Sequence, residues 1–211
     1  MVALRTIWKV ILAVCLAYII LMSGYFVFEE PINKYLGFSG EENAMKTLMQ
    51  PQQLSAVRAS INAYFGCSNQ TYTLQELFQW QNAHLKYVNS FPWTYAFYRP
   101  NDPIGILKAE IGRCGEFTVL FTAACIAEGY DARIAVVVKN DYSTSAHEFC
   151  EVKIDGTWTQ VDSSCYAPKL LVINDTLVYQ QWGWWPLQQM GYSIFDFTAN
   201  NAYNITGYFV Q

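Results

Sequence analysis

The sequence has few charged residues. Lys, Arg, Asp and Glu make up only 14% of its 211 residues, against about 25% in ordinary soluble domains. The net charge is −4 at neutral pH, and no run of Lys and Arg forms a basic stripe. Nucleic-acid binding relies on such a stripe to contact phosphates, so we expect no nucleic-acid partner.

The sequence also has little that could bind a metal ion. It contains only two histidines, and no Cys-x-x-Cys, His-x-x-His or His-Glu-x-x-His spacing occurs. No internal repeat of about 20–50 residues and no low-complexity block is present, so a repeat architecture is excluded. We therefore expect no metal site and no cofactor.

Apolar residues, in contrast, make up 53% of the chain, and many of them lie near the N-terminus. Residues 10–28 contain no charge and would span roughly 28 Å as a helix, enough to cross the hydrocarbon core of a bilayer. Arg5 and Lys9 precede this segment, and Glu29 and Glu30 follow it. By the positive-inside rule, this charge pattern predicts a single-pass transmembrane helix with a cytoplasmic N-terminus.

The expected topology places residues 1–9 in the cytoplasm, residues 10–28 in the membrane and the remainder outside the cytoplasm. Two alternatives stay open. A cleavable signal peptide would have a shorter apolar core, of about 7–15 residues, that ends at a small-x-small site. The only small pair near the end of the segment is Ser23-Gly24, and bulky residues follow it. The second alternative is a buried core helix, but nothing polar interrupts the segment on any face, and its length favours a membrane span.

Three Asn-x-Ser/Thr sequons are compatible with glycosylation of an extracytoplasmic domain. They begin at Asn69, Asn174 and Asn204. Such triplets also arise by chance in a chain rich in Asn and Thr, so their use stays open.

The six cysteines do not define a disulfide pattern. Cys15 lies in the apolar segment near the N-terminus, and Cys114 lies at the turn before a predicted helix. Cys125 follows Cys114 by about three helical turns and is predicted to be a small core residue. Four cysteines, an even number, remain besides Cys15 and Cys114. Disulfide pairing among them stays open: Cys67, Cys125, Cys150 and Cys165.

The chain after residue 28 is predicted to be helical at first. Residues 29–72 form helices that either pack on the following domain or lead to it as a stalk, with Pro51 as a break or a new first turn. A further helix over Thr73–Tyr87 begins with Thr73 as its cap and Glu76 three residues later, which is the spacing of a capping box.

Cys114 lies just before a strongly apolar predicted helix. A short helix over Ile104–Glu110 leads to the turn at Cys114, and Phe117–Glu128 is apolar nearly all round, which is typical of a helix buried on most sides. The unpaired N–H groups and the dipole at a helix N-terminus favour the thiolate, which is the nucleophilic form of cysteine.

The residues that follow alternate as β-strands do. Strands are predicted over Ala132–Val138, Ala146–Ile154 and Thr157–Ser163, and Asp155-Gly156 is a hairpin turn between the last two.

The register of this hairpin brings two chemically active side chains together. A two-residue turn pairs Ile154 with Thr157. Counted back from that pair, His147 lies opposite Ser164, and Asp162 is its diagonal neighbour on the same face. A histidine that takes the proton of a cysteine, and a carboxylate that orients the histidine, are the parts of a thiol acyl-transfer enzyme.

The residues around this arrangement form four motifs. In chain order they are Ile111–Phe121 with Gly-Arg-Cys-Gly-Glu, Glu128–Arg133, His147–Val152, and Gly156–Asp162 with its tryptophan. In order and spacing they resemble the core of the transglutaminase-like superfamily, whose fold is papain-like. Trp80–Tyr87 is similar to the helix that precedes the cysteine in that family, and the resemblance covers about residues 74–165.

The resemblance implies an α+β fold for residues 73–211, with a central helix carrying Cys114 packed on an antiparallel sheet carrying His147 and Asp162. It implies that Cys114 is the nucleophile, His147 the general base and acid, and Asp162 the residue that orients His147. The backbone N–H of Cys114 is then one oxyanion donor. The second donor stays open among Trp80, Trp93 and Gln81.

The function implied is that of a compact, microbial, membrane-anchored thiol enzyme. Its cysteine would take the acyl group of a peptide, isopeptide or Gln carboxamide and hold it as a thioester. The substrate would be a protein, a peptide or cell-envelope material. Hydrolysis is favoured because a small exposed site cannot exclude water. The alternatives are a protein-glutamine cross-linking transferase, and a catalytically silent binding or scaffold domain.

One subfamily of the superfamily has a similar first motif. The Arg-Cys-Gly-Glu run resembles that of peptide N-glycanases, which carry paired Cys-x-x-Cys zinc ligands before the nucleophile. This chain has only Cys67 in the corresponding region. The substrate-binding residues and the oligomeric state stay open.

Overall fold

The computed structural model describes residues 9–20, 40–68, 70–88, 92, 100–139, 145–164, 172–173, 192–197 and 202–204. Residues 9–20 are helical, whereas residues 21–28 of the predicted transmembrane helix lie outside the described residues. Within the described part, no helix combines the length and the apolar character needed to span a bilayer. Asn69, Asn174 and Cys165 also lie outside the described residues, as does Trp93.

Between residue 40 and the region of the predicted motifs, the described residues form two helices. Helix α1 comprises residues 40–48 and helix α2 comprises Pro51–Phe65. Pro51 occupies the first turn of α2, where a missing N–H costs nothing, so the predicted new first turn is confirmed. Gly66, with φ +71°, ends the helix. Leu48 and Ile61 are fully buried, which places both helices in the hydrophobic core.

Helix α3, Leu74–His84, begins as predicted but ends early. The amide N–H of Thr73 donates to Glu76 Oε2 at 2.7 Å and the amide N–H of Glu76 donates to Thr73 Oγ1 at 3.3 Å, so the capping box is confirmed. The predicted end at Tyr87 is wrong. Leu85 has extended dihedral angles, and the next two residues form a strand instead.

This strand, β1 (Lys86–Tyr87), pairs in parallel with β2 (Ile111–Gly112). The amide N–H of Lys86 donates to the carbonyl of Glu110 at 2.9 Å, and that of Val88 donates to the carbonyl of Gly112 at 2.9 Å. The periodicity of residues 73–87 could not indicate this pairing, because the partner strand lies far along the chain. The pair holds the residues directly before Cys114.

Helix α4, Pro103–Ala109, closely matches the predicted short helix. Asp102 caps it by accepting from the amide N–H of Gly105 at 2.9 Å. Gln53 of α2 donates to Asp102 Oδ1 at 3.2 Å and accepts from the amide N–H of Ile104 at 3.0 Å. These bonds tie α2 to the start of α4.

Helix α5, Cys114–Ala127, is the central helix. It begins three residues before the predicted Phe117, so Cys114 lies in the first turn rather than before it. The side chains from Gly115 to Cys125 are all buried, which agrees with the apolar pattern. Gly129, with φ +91°, follows its C-terminal end.

The remaining strands are β3 (Ala132–Lys139), β4 (Ser145–Ile154), β5 (Thr157–Val161), β6 (Val172–Ile173), β7 (Tyr192–Phe197) and β8 (Ala202–Asn204). They form one antiparallel sheet in the order β6-β5-β4-β3-β7-β8. One face packs on α5 and contributes Ile134, Val152 and Val161 to the core. The predicted α+β arrangement, a central helix on an antiparallel sheet, is therefore confirmed.

The hairpin of β4 and β5 has the predicted register. Ile154 pairs with Thr157, and Asp155 and Gly156 have φ angles of +49° and +84°, as a tight hairpin turn requires. Cys150 pairs with Val161 on the face that contacts α5. His147 lies near the start of β4, and Asp162 directly follows the end of β5.

Two cysteines meet inside the core. Cys125 of α5 and Cys150 of β4 are fully buried free thiols that contact each other, and burial raises the pKa of the Cys125 thiol. Cys125 is thus a core residue, as predicted. Cys67 is an exposed free thiol.

Candidate active site

Cys114 is the first residue of α5 and is half-buried. The carboxylate of Glu116 accepts from the amide N–H of Arg113 at 2.8 Å and so closes the turn before the cysteine. Glu116 is only 4% exposed, which keeps this bond away from water. The amide N–H groups of Cys114 and Gly115 lie in the first helical turn, where the partial positive charge of a helix N-terminus favours a negatively charged oxygen.

The two glycines of the motif allow close packing around Cys114. A Cβ atom on Gly112 would lie 2.7 Å from Cβ of Glu116, and a Cβ atom on Gly115 would lie 2.9 Å from Oε2 of Glu148. Both distances are below van der Waals contact. The absence of a side chain at Gly112 and Gly115 thus lets Glu116 and Glu148 lie against the start of α5.

His147 and Asp162 form a buried hydrogen bond. Nε2 of His147 lies 2.6 Å from Oδ2 of Asp162, and the residues are 7% and 1% exposed. The other carboxylate oxygen, Oδ1, accepts from the amide N–H of Ser164 at 3.0 Å and from its hydroxyl at 2.7 Å. Both oxygens of Asp162 are therefore occupied, and the carboxylate is held in one orientation.

The charges of this pair stabilise each other. Burial lowers the pKa of His147, but hydrogen bonds and electrostatic interactions with Asp162 and Cys114 outweigh burial and raise it to about 10. Burial likewise raises the pKa of Asp162, but the bonds with His147 and Ser164 outweigh it, and the pKa lies below its usual value. At neutral pH the pair is an imidazolium beside a carboxylate.

The three residues singled out in the sequence thus come together. The thiol of Cys114 contacts His147, and His147 contacts Asp162. With Nε2 held by Asp162, Nδ1 is the ring nitrogen that remains for the thiol. Such an arrangement can move a proton between sulfur and the imidazole ring.

One backbone carbonyl connects the elements that carry these residues. The carbonyl oxygen of Phe117, in α5, accepts from Nε2 of Gln81 at 2.6 Å and from the hydroxyl of Ser163 at 3.3 Å. Gln81 lies on α3, and Ser163 follows Asp162. All three residues are buried, so α3, α5 and the end of the hairpin are joined at a single point beside the site.

Two of the residues considered as the second oxyanion donor serve the scaffold. Nε1 of Trp80 donates to Ser60 at 3.2 Å, and the Gln81 amide holds the Phe117 carbonyl. His84, the other histidine, is half-buried at the end of α3, where Nδ1 lies 2.8 Å from the carbonyl oxygen of Trp80.

Sequence reasoning missed Ser163 and Ser164. An Asp followed by two serines at a strand end is a pattern in which side chains bond to nearby backbone groups, and this signal could have indicated them. Which hydroxyl turns to Asp162 and which to Phe117 depends on the packing of α5.

A cleft of about 240 Å³ opens beside the start of α5. Three carboxylates line it, from Glu41, Glu116 and Glu148, and it also contacts α1 and the chain before α4. Within the part of the chain that the structure describes, no three His, Cys, Asp or Glu side chains are grouped so that they could hold a metal ion.

Known proteins share the central part of this fold. Residues 59–163 match the transglutaminase-like superfamily. Two curated relatives, from Oryza sativa subsp. japonica and Drosophila melanogaster, are named peptide-N(4)-(N-acetyl-beta-glucosaminyl)asparagine amidases. The first is 33% identical over 91 residues and the second is 39% identical over 90. The matched regions cover 43% and 42% of this chain but only 18% and 12% of those relatives.

Solved structures extend the likeness in fold. A protein of Parabacteroides distasonis ATCC 8503, proposed to be a protease, superimposes with a TM-score of 0.50 at 12% sequence identity. The superposition covers 80% of this chain and 31% of that one. At this identity the likeness is one of fold, and the part of the chain that matches the transglutaminase-like superfamily, residues 59–163, includes Cys114, His147 and Asp162.

Proposed function

We propose that the protein is a thiol amidase in which Cys114 is the nucleophile, His147 the general acid and base, and Asp162 the residue that orients His147. One observation carries the proposal. The buried 2.6 Å bond between His147 and Asp162 lies within hydrogen-bond contact of a cysteine at a helix N-terminus. Those three features together favour a thiolate paired with an imidazolium.

The proposed reaction has two steps. The thiolate of Cys114 adds to the carbonyl carbon of an amide, and the imidazolium of His147 gives its proton to the departing amine. The thioester that remains is attacked by water, which loses a proton to His147; the C–S bond then breaks, which releases the carboxylic acid and regenerates the Cys114 thiolate beside the imidazolium. Backbone N–H groups at the start of α5, that of Cys114 first, stabilise the negative oxygen in both steps.

Two observations favour hydrolysis of an amide over transfer to an amine. The relatives named above are amidases that act at asparagine, so their names describe cleavage of an amide bond. Cys114 is only half-buried, which leaves water access to a thioester formed on it. The substrate class that we propose is a protein or peptide amide, cell-envelope material included.

The test compares the reactivity of two thiols in the same full-length chain. Iodoacetamide is applied at pH 5–6, and the labelled peptides are mapped. Cys67 is exposed and free, so it supplies an internal reference. We expect Cys114 to be alkylated at least tenfold faster than Cys67, and His147→Ala to abolish the difference.

A second variant separates the alternatives. Cys114→Ala should remove all amide turnover while thermal unfolding stays cooperative. Equal labelling of Cys114 and Cys67 would identify a silent binding domain. If instead the thioester formed on Cys114 passed to an added primary amine faster than to water, a cross-linking transferase would replace the amidase.

We also propose that the N-terminal helix attaches the enzyme to a membrane, with the domain outside the cytoplasm. Large apolar side chains of residues 10–20 are 45–69% exposed on all sides of the helix. Such a surface is stabilised by lipid. The full chain should sediment with membranes, resist an alkaline wash and dissolve in detergent. Release by the alkaline wash would contradict this.

A further inference from the structure

Ser164 makes a direct contact with the site that the proposed mechanism does not use. Its amide N–H and its hydroxyl both donate to Oδ1 of Asp162, at 3.0 and 2.7 Å. Ser164 is 6% exposed and Asp162 is 1% exposed. Water therefore does not compete for these two bonds, and Ser164 supplies both hydrogen bonds to Oδ1 of Asp162.

The two bonds decide which oxygen faces the histidine. The carboxylate of an aspartate rotates easily about its last bond and can present either oxygen, or neither, to a neighbour. Because Ser164 holds Oδ1, Oδ2 of Asp162 is the oxygen that meets Nε2 of His147 at 2.6 Å. The ring orientation that leaves Nδ1 for the thiol follows from this.

We propose that Ser164 is a positioning residue, whose hydroxyl holds the Asp162 carboxylate so that His147 stays aligned for proton exchange with Cys114. This inference rests on the proposed function. The hydroxyl acts in a second way as well, because a hydrogen bond donated to a carboxylate favours its charged form. The bonds from Ser164 contribute to the low pKa of Asp162.

The adjacent serine is a matched control. Ser163 is 2% exposed. Its hydroxyl donates to the carbonyl of Phe117 at 3.3 Å, not to Asp162. Ser163→Ala and Ser164→Ala therefore remove the same group from equally buried neighbouring positions. Only the second change removes a donor from the carboxylate.

The first experiment measures the alkylation rate of Cys114 against pH in the full chain. In Ser164→Ala, the acid limb of the profile should move upward by about one pH unit, because Asp162 loses a donor to its charged form. Ser164→Thr keeps the hydroxyl and should restore the profile. Ser163→Ala should keep the profile of the unaltered chain, and circular dichroism at each pH identifies folded samples.

The outcomes separate this inference from the proposed function. If Cys114 reacts rapidly and Ser164→Ala does not move its acid limb, the positioning role is overturned and the amidase proposal stands. If Cys114 reacts no faster than Cys67 in the unaltered chain, the amidase proposal fails. The positioning role is then decided by the ring signals of His147.

Those signals can be followed by nuclear magnetic resonance because the chain has only two histidines. His84→Asn identifies the signals of His147. Across the 2.6 Å bond, the ring of His147 reports protonation of Asp162 as an inflection at low pH. An inflection moved upward in Ser164→Ala supports the positioning role, and an unmoved inflection overturns it.

Discussion

At the scale of the residue, His147 and Asp162 couple the stability of the fold to pH. His147 has an ordinary pKa of 6.5 and a pKa of about 10 in the folded chain. Below pH 6.5 the histidine is charged in both the folded and the unfolded chain, and the stabilisation by its partners is fully present. Between the two values the folded chain holds one more proton than the unfolded chain, so stability falls as pH rises.

The expected effect is a decrease in the free energy of unfolding between about pH 7 and pH 10. One proton accounts for up to about 1.4 kcal/mol per pH unit. Denaturant unfolding at several pH values measures this slope. His147→Gln should reduce it, whereas His84→Asn, at the other histidine, should keep it. An unchanged slope in His147→Gln would show that the pair is not charged as described.

The aspartate acts in the opposite direction. The pKa of Asp162 is lowered below its usual 3.8, so its contribution to stability is present above that value and is lost as pH falls through the folded-state pKa. The pair therefore stabilises the fold most between about pH 4 and 6.5, where both partners are charged in the folded chain.

At the scale of the element, the start of α5 depends on two glycines that differ in what surrounds them. Beside Gly112 lies the Cβ atom of Glu116, which is close to the backbone and cannot move away. Beside Gly115 lies the carboxylate at the flexible end of Glu148. The first contact is rigid and the second can yield.

Alanine at these positions should therefore have unequal effects. Gly112→Ala should destabilise the protein by about 1–3 kcal/mol, the usual effect of overpacking. Gly115→Ala should change stability by less than about 1 kcal/mol, since Glu148 can turn aside and alanine favours a helix. Thermal unfolding of the two variants measures the difference, and equal losses would contradict the described packing.

The sequence predicted the elements whose signals are local. The capping box of Thr73 and Glu76 and the turn at Asp155-Gly156 each fix a structure within a few residues, and both were found. The end of α3 was predicted wrongly because Lys86 and Tyr87 pair with a strand more than 20 residues away. No local pattern carries that information.

In the candidate site, too, the features with local signals were predicted and those that depend on tertiary packing were not. The register of the hairpin placed His147 and Asp162 on one face, because alternation and a two-residue turn determine it. The contacts of Ser163 and Ser164 could not be predicted, since they depend on the distance between the end of β5 and Phe117 of α5. Tertiary packing supplies that distance.

At the scale of the whole molecule, α1 and α2 share one core with the sheet. Leu48 of α1 is fully buried in the cluster that also contains residues of α5 and of β4. Its neighbour Met49 is 47% exposed. Residues 40–48 should therefore fold together with the site rather than as a separate stalk.

This can be tested with adjacent variants. Leu48→Ala should lower the free energy of unfolding by about 2–5 kcal/mol, because it leaves a cavity in the common core. Met49→Ala should change it by no more than about 0.5 kcal/mol. Hydrogen exchange of α5 amides is the measurement. If protection in α5 were the same in both variants, the two regions would unfold independently.

The tight turn at Asp155 and Gly156 also limits how the chain length can change. Surface turns usually accept insertions and deletions. Here, one added residue that shifted β5 against β4 would move Asp162 off the face of His147 and present Val161 to His147, since neighbouring side chains point to opposite faces. A shift by two residues would return Asp162 to that face. A change of length at this turn is thus compatible with the chemistry only where it keeps Asp162 on the face of His147, although the turn itself lies far from the reacting atoms.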